Sequence, residues 1–321
     1  MKKIVMFDTS YATRNLGDFI INNSITEEMN YLLIDSFVVR YSTHTPLCTF
    51  LKPIKNDSVK NVCSSADYKF ICGTNIFKKR VWRIGSDWNL KFESVPYYKN
   101  SITIGCGMTG TKVDIFSRIL YKKILSKEYY HSTRDEKTKV FLESLGLKAI
   151  NTGCATMWKL TQEHCKKIPT RKAKNVVFTL TDYKRDLVND QKLIDILLGN
   201  YENVYFWIQG EKDYEYFKTF KGIDKVKIIS PSVEQFKQVL LTKDVDYVGT
   251  RLHAGIFAMQ HFVRTIILIV DNRTRDMKET YDLIAMERND IDQLEKMINS
   301  EFKTNIKIDE DKIQMWKSQF K

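Results

Sequence analysis

The chain has 321 residues, 43% hydrophobic and 28% charged, a globular composition with room for two ordinary domains. No stretch approaches the ~18–20 apolar residues of a membrane-spanning helix. The apolar run Ile4 to Phe7 after Lys2 and Lys3 is too short for the core of a secretory leader, so a cytoplasmic location is expected. Lys and Arg outnumber Asp and Glu by 51 to 39, a net charge of +12. The excess is spread along the chain. It implies attraction to anionic surfaces, including the inner face of an anionic membrane, rather than a dedicated nucleic-acid site.

Short apolar runs alternate with amphipathic stretches, the pattern of parallel βαβ units. In chain order, strands are expected at Lys3–Asp8, Tyr68–Cys72, Ser101–Gly105 and Glu128–His131. Helices are expected at Gly17–Leu32, Val113–Leu125 and Arg134–Leu145. The last has a capping box of Thr133 with Glu136, an apolar face of Phe141, Leu142 and Leu145, and a stop at Gly146. The polar, basic stretch 161–174, with Pro169, reads as a linker. It divides an N-terminal α/β domain, 1–160, from a C-terminal one, 175–321. In the second domain strands are expected at Asn175–Leu180, Asn203–Ile208, Val226–Ile229, Asp246–Gly249 and Thr265–Asp271. Helices near Ile291–Ile298 and Glu310–Phe320 close the chain, the last expected to pack back on the first domain. Two doubly wound, Rossmann-like α/β domains facing across a cleft resemble the GT-B architecture. The six cysteines form no CxxC pair, so they read as buried or inert thiols, and no metal site is expected.

Four strings carry candidate chemistry. Gly249-Thr250-Arg251-Leu252-His253-Ala254-Gly255 follows a strand and opens a helix, with Thr250 as the expected cap and Leu252, Ile256 and Met259 as the buried stripe. Arg251 and His253 then sit in the first turn at the carboxyl edge of a parallel sheet, where ligands bind and where a helix N-terminus favours an anion. Arg134 takes the equivalent place in the first domain; a surface pair with Asp135 or Glu136 is the alternative. Two such arginines, one per domain, suit a ligand with two anionic groups. In Arg14-Asn15-Leu16-Gly17-Asp18, Asn15 caps the first helix, Gly17 permits close approach, and Asp18 is either a capping carboxylate or a base. Arg273, in Asp271-Asn272-Arg273, falls on the same sheet edge as Arg251. Gly105 to Gly110 spells GxGxxG. It lies outside the first βα unit and lacks a following acidic strand end, so it reads as a close-approach loop, with Gly107 on the cleft wall.

These strings resemble the polysaccharide pyruvyltransferase family. The likeness rests on Asn15-Leu16-Gly17-Asp18, Ser132-Thr133-Arg134-Asp135-Glu136, Asn151-Thr152-Gly153-Cys154 and Gly249-Thr250-Arg251-Leu252-His253-Ala254, the last followed by Val270-Asp271-Asn272-Arg273. The resemblance implies a GT-B-like fold. It also implies transfer of a pyruvyl group from phosphoenolpyruvate to a sugar hydroxyl pair of a surface polysaccharide or its lipid-linked precursor, closing a ketal. By motif, Arg134, Arg251, Leu252 and Arg273 would bind phosphoenolpyruvate. His253 would be the general acid and Asp18 the base, with Asn15, Gly17 and Gly107 on the acceptor side. Asn151-Thr152-Gly153-Cys154 departs from the Gly-Asp-Pro of many members.

Phosphoenolpyruvate, a co-substrate, carries a phosphate and a carboxylate, which suits several guanidiniums, and histidine titrates in the range needed to protonate its methylene carbon. No cofactor or metal is called for. The alternatives are a nucleotide-sugar glycosyltransferase of GT-B fold and a non-catalytic module that binds anionic polysaccharide.

Overall fold

The computed structural model describes residues 1–47, 57–83, 88, 90–110, 112–242 and 244–320. Cys48 lies outside them. The chain forms two compact units, one of Met1–Thr13, Ile21–Trp158 and Asp309–Lys321, the other of Arg14–Ile20 and Lys159–Ile308.

The elements of the first half are β1 (Lys2–Asp8), α1 (Leu16–Glu28), α2 (Asn30–Leu33), β2 (Ser36–Ser42), α3 (Ser58–Ser64), β3 (Tyr68–Cys72), α4 (Val95–Tyr98), β4 (Ile102–Ile104), α5 (Ile115–Ile124), β5 (His131–Thr133), α6 (Glu136–Glu143) and β6 (Ala149–Asn151). Those that follow are α7 (Gln162–Cys165), β7 (Asn175–Thr179), α8 (Leu187–Asn200), β8 (Asn203–Trp207), α9 (Asp213–Phe217), β9 (Val226–Ile229), α10 (Val233–Thr242), β10 (Val245–Gly249), α11 (Leu252–Gln260), β11 (Thr265–Ile269), α12 (Asn272–Tyr281), β12 (Ala285–Glu287), α13 (Leu294–Ile298) and α14 (Glu310–Lys317).

In the first unit a parallel sheet runs β2-β1-β3-β4, and the parallel pair β5-β6 joins it through a bridge between Cys106 and Thr133. Helix α14 belongs to this unit. Trp316 is fully buried and its indole N–H donates to the Tyr130 carbonyl (2.8 Å), while Phe320 packs edge-on against Tyr68 and Phe70. The second unit is a six-stranded parallel sheet in the order β9-β8-β7-β10-β11-β12. That is the doubly wound order, whose switch point falls between β7 and β10, and ligand crevices in such sheets open at the carboxyl ends there.

Three local expectations are corrected. The fifth strand lies at His131–Thr133 rather than Glu128–His131, because Ser126 to Tyr130 form the turn that feeds it. Asp135, not Thr133, caps α6, its carboxylate accepting from Thr138 N–H (2.8 Å), so Arg134 precedes the cap instead of opening the helix. The stretch 161–174 contains the short helix α7, capped by Thr161. His164 is held there by the Met259 carbonyl (2.9 Å) and stacks on Phe262. Cys63, Cys72, Cys106, Cys154 and Cys165 are buried thiols outside any disulfide.

Candidate active site

Helix α11 leaves the switch point of the second unit. Ala254 to Gln260 are buried on every side, because the helix lies between the sheet and its own neighbours; only Leu252 and His253 reach partial exposure. The expected stripe therefore holds for Ile256 and Met259 but not for Leu252. The backbone of Arg251 occupies the cap position without a side-chain bond. Thr250 turns aside to share a hydrogen bond with Thr181 (2.8 Å), tying the end of β10 to the residues after β7. His253 is thus the second residue of a helix whose first turn faces the carboxyl edge.

Arg251 differs most from expectation. Its side chain is only 5% exposed and is anchored from below rather than presented as an open fork. Nε donates to Asp213 Oδ2 (3.1 Å) and the Leu180 carbonyl (3.0 Å). Nη2 donates to Asp182 Oδ1 (3.1 Å) and to Asp213 Oδ1. Asp213 is fully buried and also accepts from the N–H groups of Gly210 (2.7 Å) and Asp182 (3.2 Å). Burial pushes its carboxyl above the ordinary range, against the opposing pull of Arg251 and those N–H groups. One carboxylate thus gathers the ends of β7, β8 and β10. A side chain at Gly210 would place its Cβ 2.6 Å from Arg251 Nη2, so only glycine fits beneath the guanidinium.

The Asn15–Asp18 string belongs to this same unit. Leu16 N–H donates to the Gln209 carbonyl (2.9 Å), Glu211 N–H donates to the Arg14 carbonyl (3.1 Å), and Asn15 bridges antiparallel to Gly210. Asn15 Oδ1 accepts from Gly17 N–H (3.1 Å), the expected cap, and also from Gln209 Nε2 (2.9 Å). Gly17 lets Gln209 come this close, since a Cβ there would lie 3.0 Å from its Nε2. Asp18 is the third residue of α1 and half-buried. The segment expected in the N-terminal domain therefore sits at the end of β8, beside Gly210 and Arg251, because its backbone pairs there.

Arg273 lies one strand over, at the start of α12. It donates to Asp271 Oδ2 (3.0 and 2.5 Å) and to the Tyr183 hydroxyl (2.9 Å). Burial works against ionisation of Asp271, but Arg273 outweighs it and holds that carboxyl below its usual range. The Arg251 guanidinium lies 5.0 Å over the Tyr183 ring, so Tyr183 touches both arginines. Among the described residues the second unit thus brings together Asn15, Gly17, Asp18, Arg251, Leu252, His253 and Arg273. Sequence reading missed Asp182, Tyr183, Gln209, Gly210 and Asp213. A glycine three residues past the end of β8, at Gly210, was the available signal.

The first unit holds Arg134 and Gly107. Arg134 N–H donates to the Cys106 carbonyl (2.9 Å), and its side chain lies over Gly107, where a Cβ would stand 2.9 Å from the guanidinium carbon. Its Nε is 3.7 Å from Asp135, a long contact for an ion pair. The Asn151 string is structural: Thr152 bonds Ser132 (2.6 Å), and Gly153 to Ala155 pack against Gly105. Among the described residues no group of three or more His, Cys, Asp or Glu could hold a metal ion. No helix among them is long and apolar enough to cross a membrane.

Residues 15–272 match the family "Polysaccharide pyruvyl transferase". The chain belongs to that family. No curated protein matches by sequence. Among solved structures the chain is similar to the UDP-GlcNAc 2-epimerase of Methanocaldococcus jannaschii, in complex with UDP-GlcNAc and UDP, at 13% identity and a TM-score of 0.50, over 96% of each chain. It is also similar to MnaA of S. aureus with UDP, at 12% identity and a TM-score of 0.52, over 93% of this chain and 88% of that one. At such identities the likeness concerns the fold, which is GT-B-like with two Rossmann-like domains. This family member is a transferase of polysaccharide biosynthesis, and its family implies a polysaccharide or sugar acceptor.

Proposed function

We propose that this transferase moves the pyruvyl group of phosphoenolpyruvate onto a pair of sugar hydroxyls in a surface polysaccharide or its lipid-linked precursor, forming a ketal and releasing phosphate. The observation that carries the reading is the gathering of His253, Arg251, Arg273 and the Asn15–Asp18 segment on one sheet edge of the second unit, in a chain of this family.

Each residue has a distinct task. The first-turn N–H groups of α11 and the cation of Arg273 receive the donor's anionic groups. Arg251 is chiefly a positioning residue. Its Nε and Nη2 hold Asp213, Asp182 and Leu180, and Nη1, which has no hydrogen bond among the described residues, is left for the donor. His253 protonates the methylene carbon, leaving a cation at the adjacent carbon. A sugar hydroxyl attacks that carbon as Asp18 takes its proton. The second hydroxyl then displaces phosphate and closes the ketal, its proton passing to His253, which the first step left neutral. Arg134, on the first unit, is proposed as a further donor-binding cation. The protein's own groups supply every proton transfer, so no metal or cofactor is assigned.

The test is direct. The protein is titrated calorimetrically with phosphoenolpyruvate and, separately, with UDP-GlcNAc. It is then incubated with phosphoenolpyruvate and a panel of diol-bearing saccharides while phosphate release and ketal formation are followed by NMR. Phosphoenolpyruvate binding with equimolar phosphate and ketal is expected. Turnover of the nucleotide sugar without phosphoenolpyruvate binding would overturn the reading in favour of a glycosyltransferase. Saccharide binding without turnover of either donor would leave a binding module.

A further inference from the structure

Helix α5 divides into two faces. Ser117, Leu120, Tyr121 and Ile124 are buried. Ile115, Phe116 and Ile119 face outward at 63%, 56% and 40% exposure, with Lys122 and Lys123 exposed one turn further on. At ~100° per residue, these five positions fall within an arc of about 120°. Trp82, itself exposed, packs edge-on against Phe116 with ring centroids 6.4 Å apart. A surface helix ordinarily turns polar residues to water. Here large apolar side chains cluster in water on one face, the mark of an interaction surface.

Lys122 and Lys123 also line a groove of about 520 Å³, together with Lys99, Lys127, Asn100 and Ser126. Glu128 is the acid in its wall. Asp114, at the other end of the helix, is engaged by Ser117 N–H (2.9 Å) and the Trp82 indole N–H (3.3 Å). No ion pair joins the four lysines to a carboxylate among the described residues. The face therefore offers an apolar strip and, alongside it, a cluster of uncompensated positive charge.

We propose that this face docks the protein on an anionic bilayer. A membrane surface is the partner that presents both layers at once: phosphates to receive the lysines and an acyl boundary to receive Ile115, Phe116 and Ile119, with Trp82 at headgroup level. A nucleic acid matches the charge but not the apolar strip. The net charge of +12 adds long-range attraction to the same target. The docking face stands independently of the reaction proposed above.

The experiment uses the full chain and sedimentation with vesicles of phosphatidylglycerol and phosphatidylcholine, or of phosphatidylcholine alone. Binding to the anionic vesicles at low salt, release as salt rises, and no retention on neutral vesicles are expected. K122Q/K123Q/K127Q is expected to lose roughly 100-fold in partition, about five-fold per lysine. F116S/I119S is expected to lose at least about ten-fold through the apolar area it withholds. All five positions changed are exposed, and a thermal melt matching the parent verifies that each variant is folded. Equal recovery on both vesicle types, no binding at low salt, or unchanged partition of either variant would overturn the proposal. So would duplex DNA that binds the parent as tightly as the vesicles do and is indifferent to F116S/I119S.

Discussion

Arg251 and Asp213 form a two-armed buried ion pair, with Nε 3.1 Å from Oδ2 and Nη2 on Oδ1, directly over Gly210. The pair joins three strand ends at the switch point. Removing one partner strands the other charge in the interior, which typically costs about 3–5 kcal/mol. Asp213→Ala and Arg251→Ala are therefore both expected to lower the urea midpoint strongly. A ligand-only arginine would leave it unchanged, so a parent-like midpoint in Arg251→Ala would remove its positioning role.

His253 is half-exposed in the first turn of α11, and its loss should not unfold the unit. His253→Ala is expected to cut turnover by ~10²–10⁴, the usual weight of a general acid, with the Kd for phosphoenolpyruvate changed only slightly. Near-parental kcat would sink the assignment.

Arg134 and Arg273 are expected to act on donor affinity. Arg134→Ala and Arg273→Ala should each weaken phosphoenolpyruvate binding by about 2–5 kcal/mol where the bond is desolvated. Arg→Lys should restore only part, because the ammonium lacks the planar fork. Calorimetry on each variant decides separately for each unit, and an unchanged Kd removes that arginine from the donor set.

Two glycines predict opposite signs. Gly210→Ala drives a methyl to 2.6 Å from Arg251 Nη2 and is expected to cost about 1–3 kcal/mol, with impaired turnover. Gly199, near the end of α8, has nothing within 4 Å of an added Cβ, and Gly199→Ala should stabilise by about 0.5–1 kcal/mol. Denaturant midpoints measured side by side check the contrast.

His131 makes the first unit acid-sensitive. Its Nδ1 accepts from Thr103 N–H (3.3 Å) and its Nε2 faces the Ser126 carbonyl (2.9 Å), the arrangement of a neutral ring. Burial lowers its pKa from 6.5 to about 4, the Ser126 carbonyl pulling the other way. The unfolded chain takes up this proton more readily. The stability that His131 contributes is present above pH ~6.5, declines as pH falls to about 4, and levels off below; the whole change is of order 3 kcal/mol. His131→Asn should flatten that slope in urea midpoints measured from pH 7.5 downward. Parallel slopes for parent and variant would refute it.

Much of this protein is legible without coordinates. The aromatic and aliphatic run Tyr68–Cys72 and the β-branched run Val226–Ile229 appear as strands with the bounds expected of them. Asn15 caps α1, and His253 opens a helix at a strand's carboxyl end. Such features arise from backbone and capping energetics over a few neighbouring residues, and a string of residues carries them. The seven-residue strand β2 and the three-residue strands β6 and β12 escaped notice because pairing partners, rather than their own periodicity, define them.

The sequence by itself determined the alternation of strand and helix, the family, and which charged residues stand at strand ends. Only the tertiary structure decided what those residues face. Arg251 meets Asp213, 38 residues away, and Asn15 meets Gln209, 194 residues away, because the strand order brings the ends of β7, β8 and β10 side by side. A guanidinium's propensity is the same whether it ends in an open anion site or on a buried carboxylate. The choice depends on desolvation and on which acid the topology delivers, and neither is encoded within the reach of a local motif.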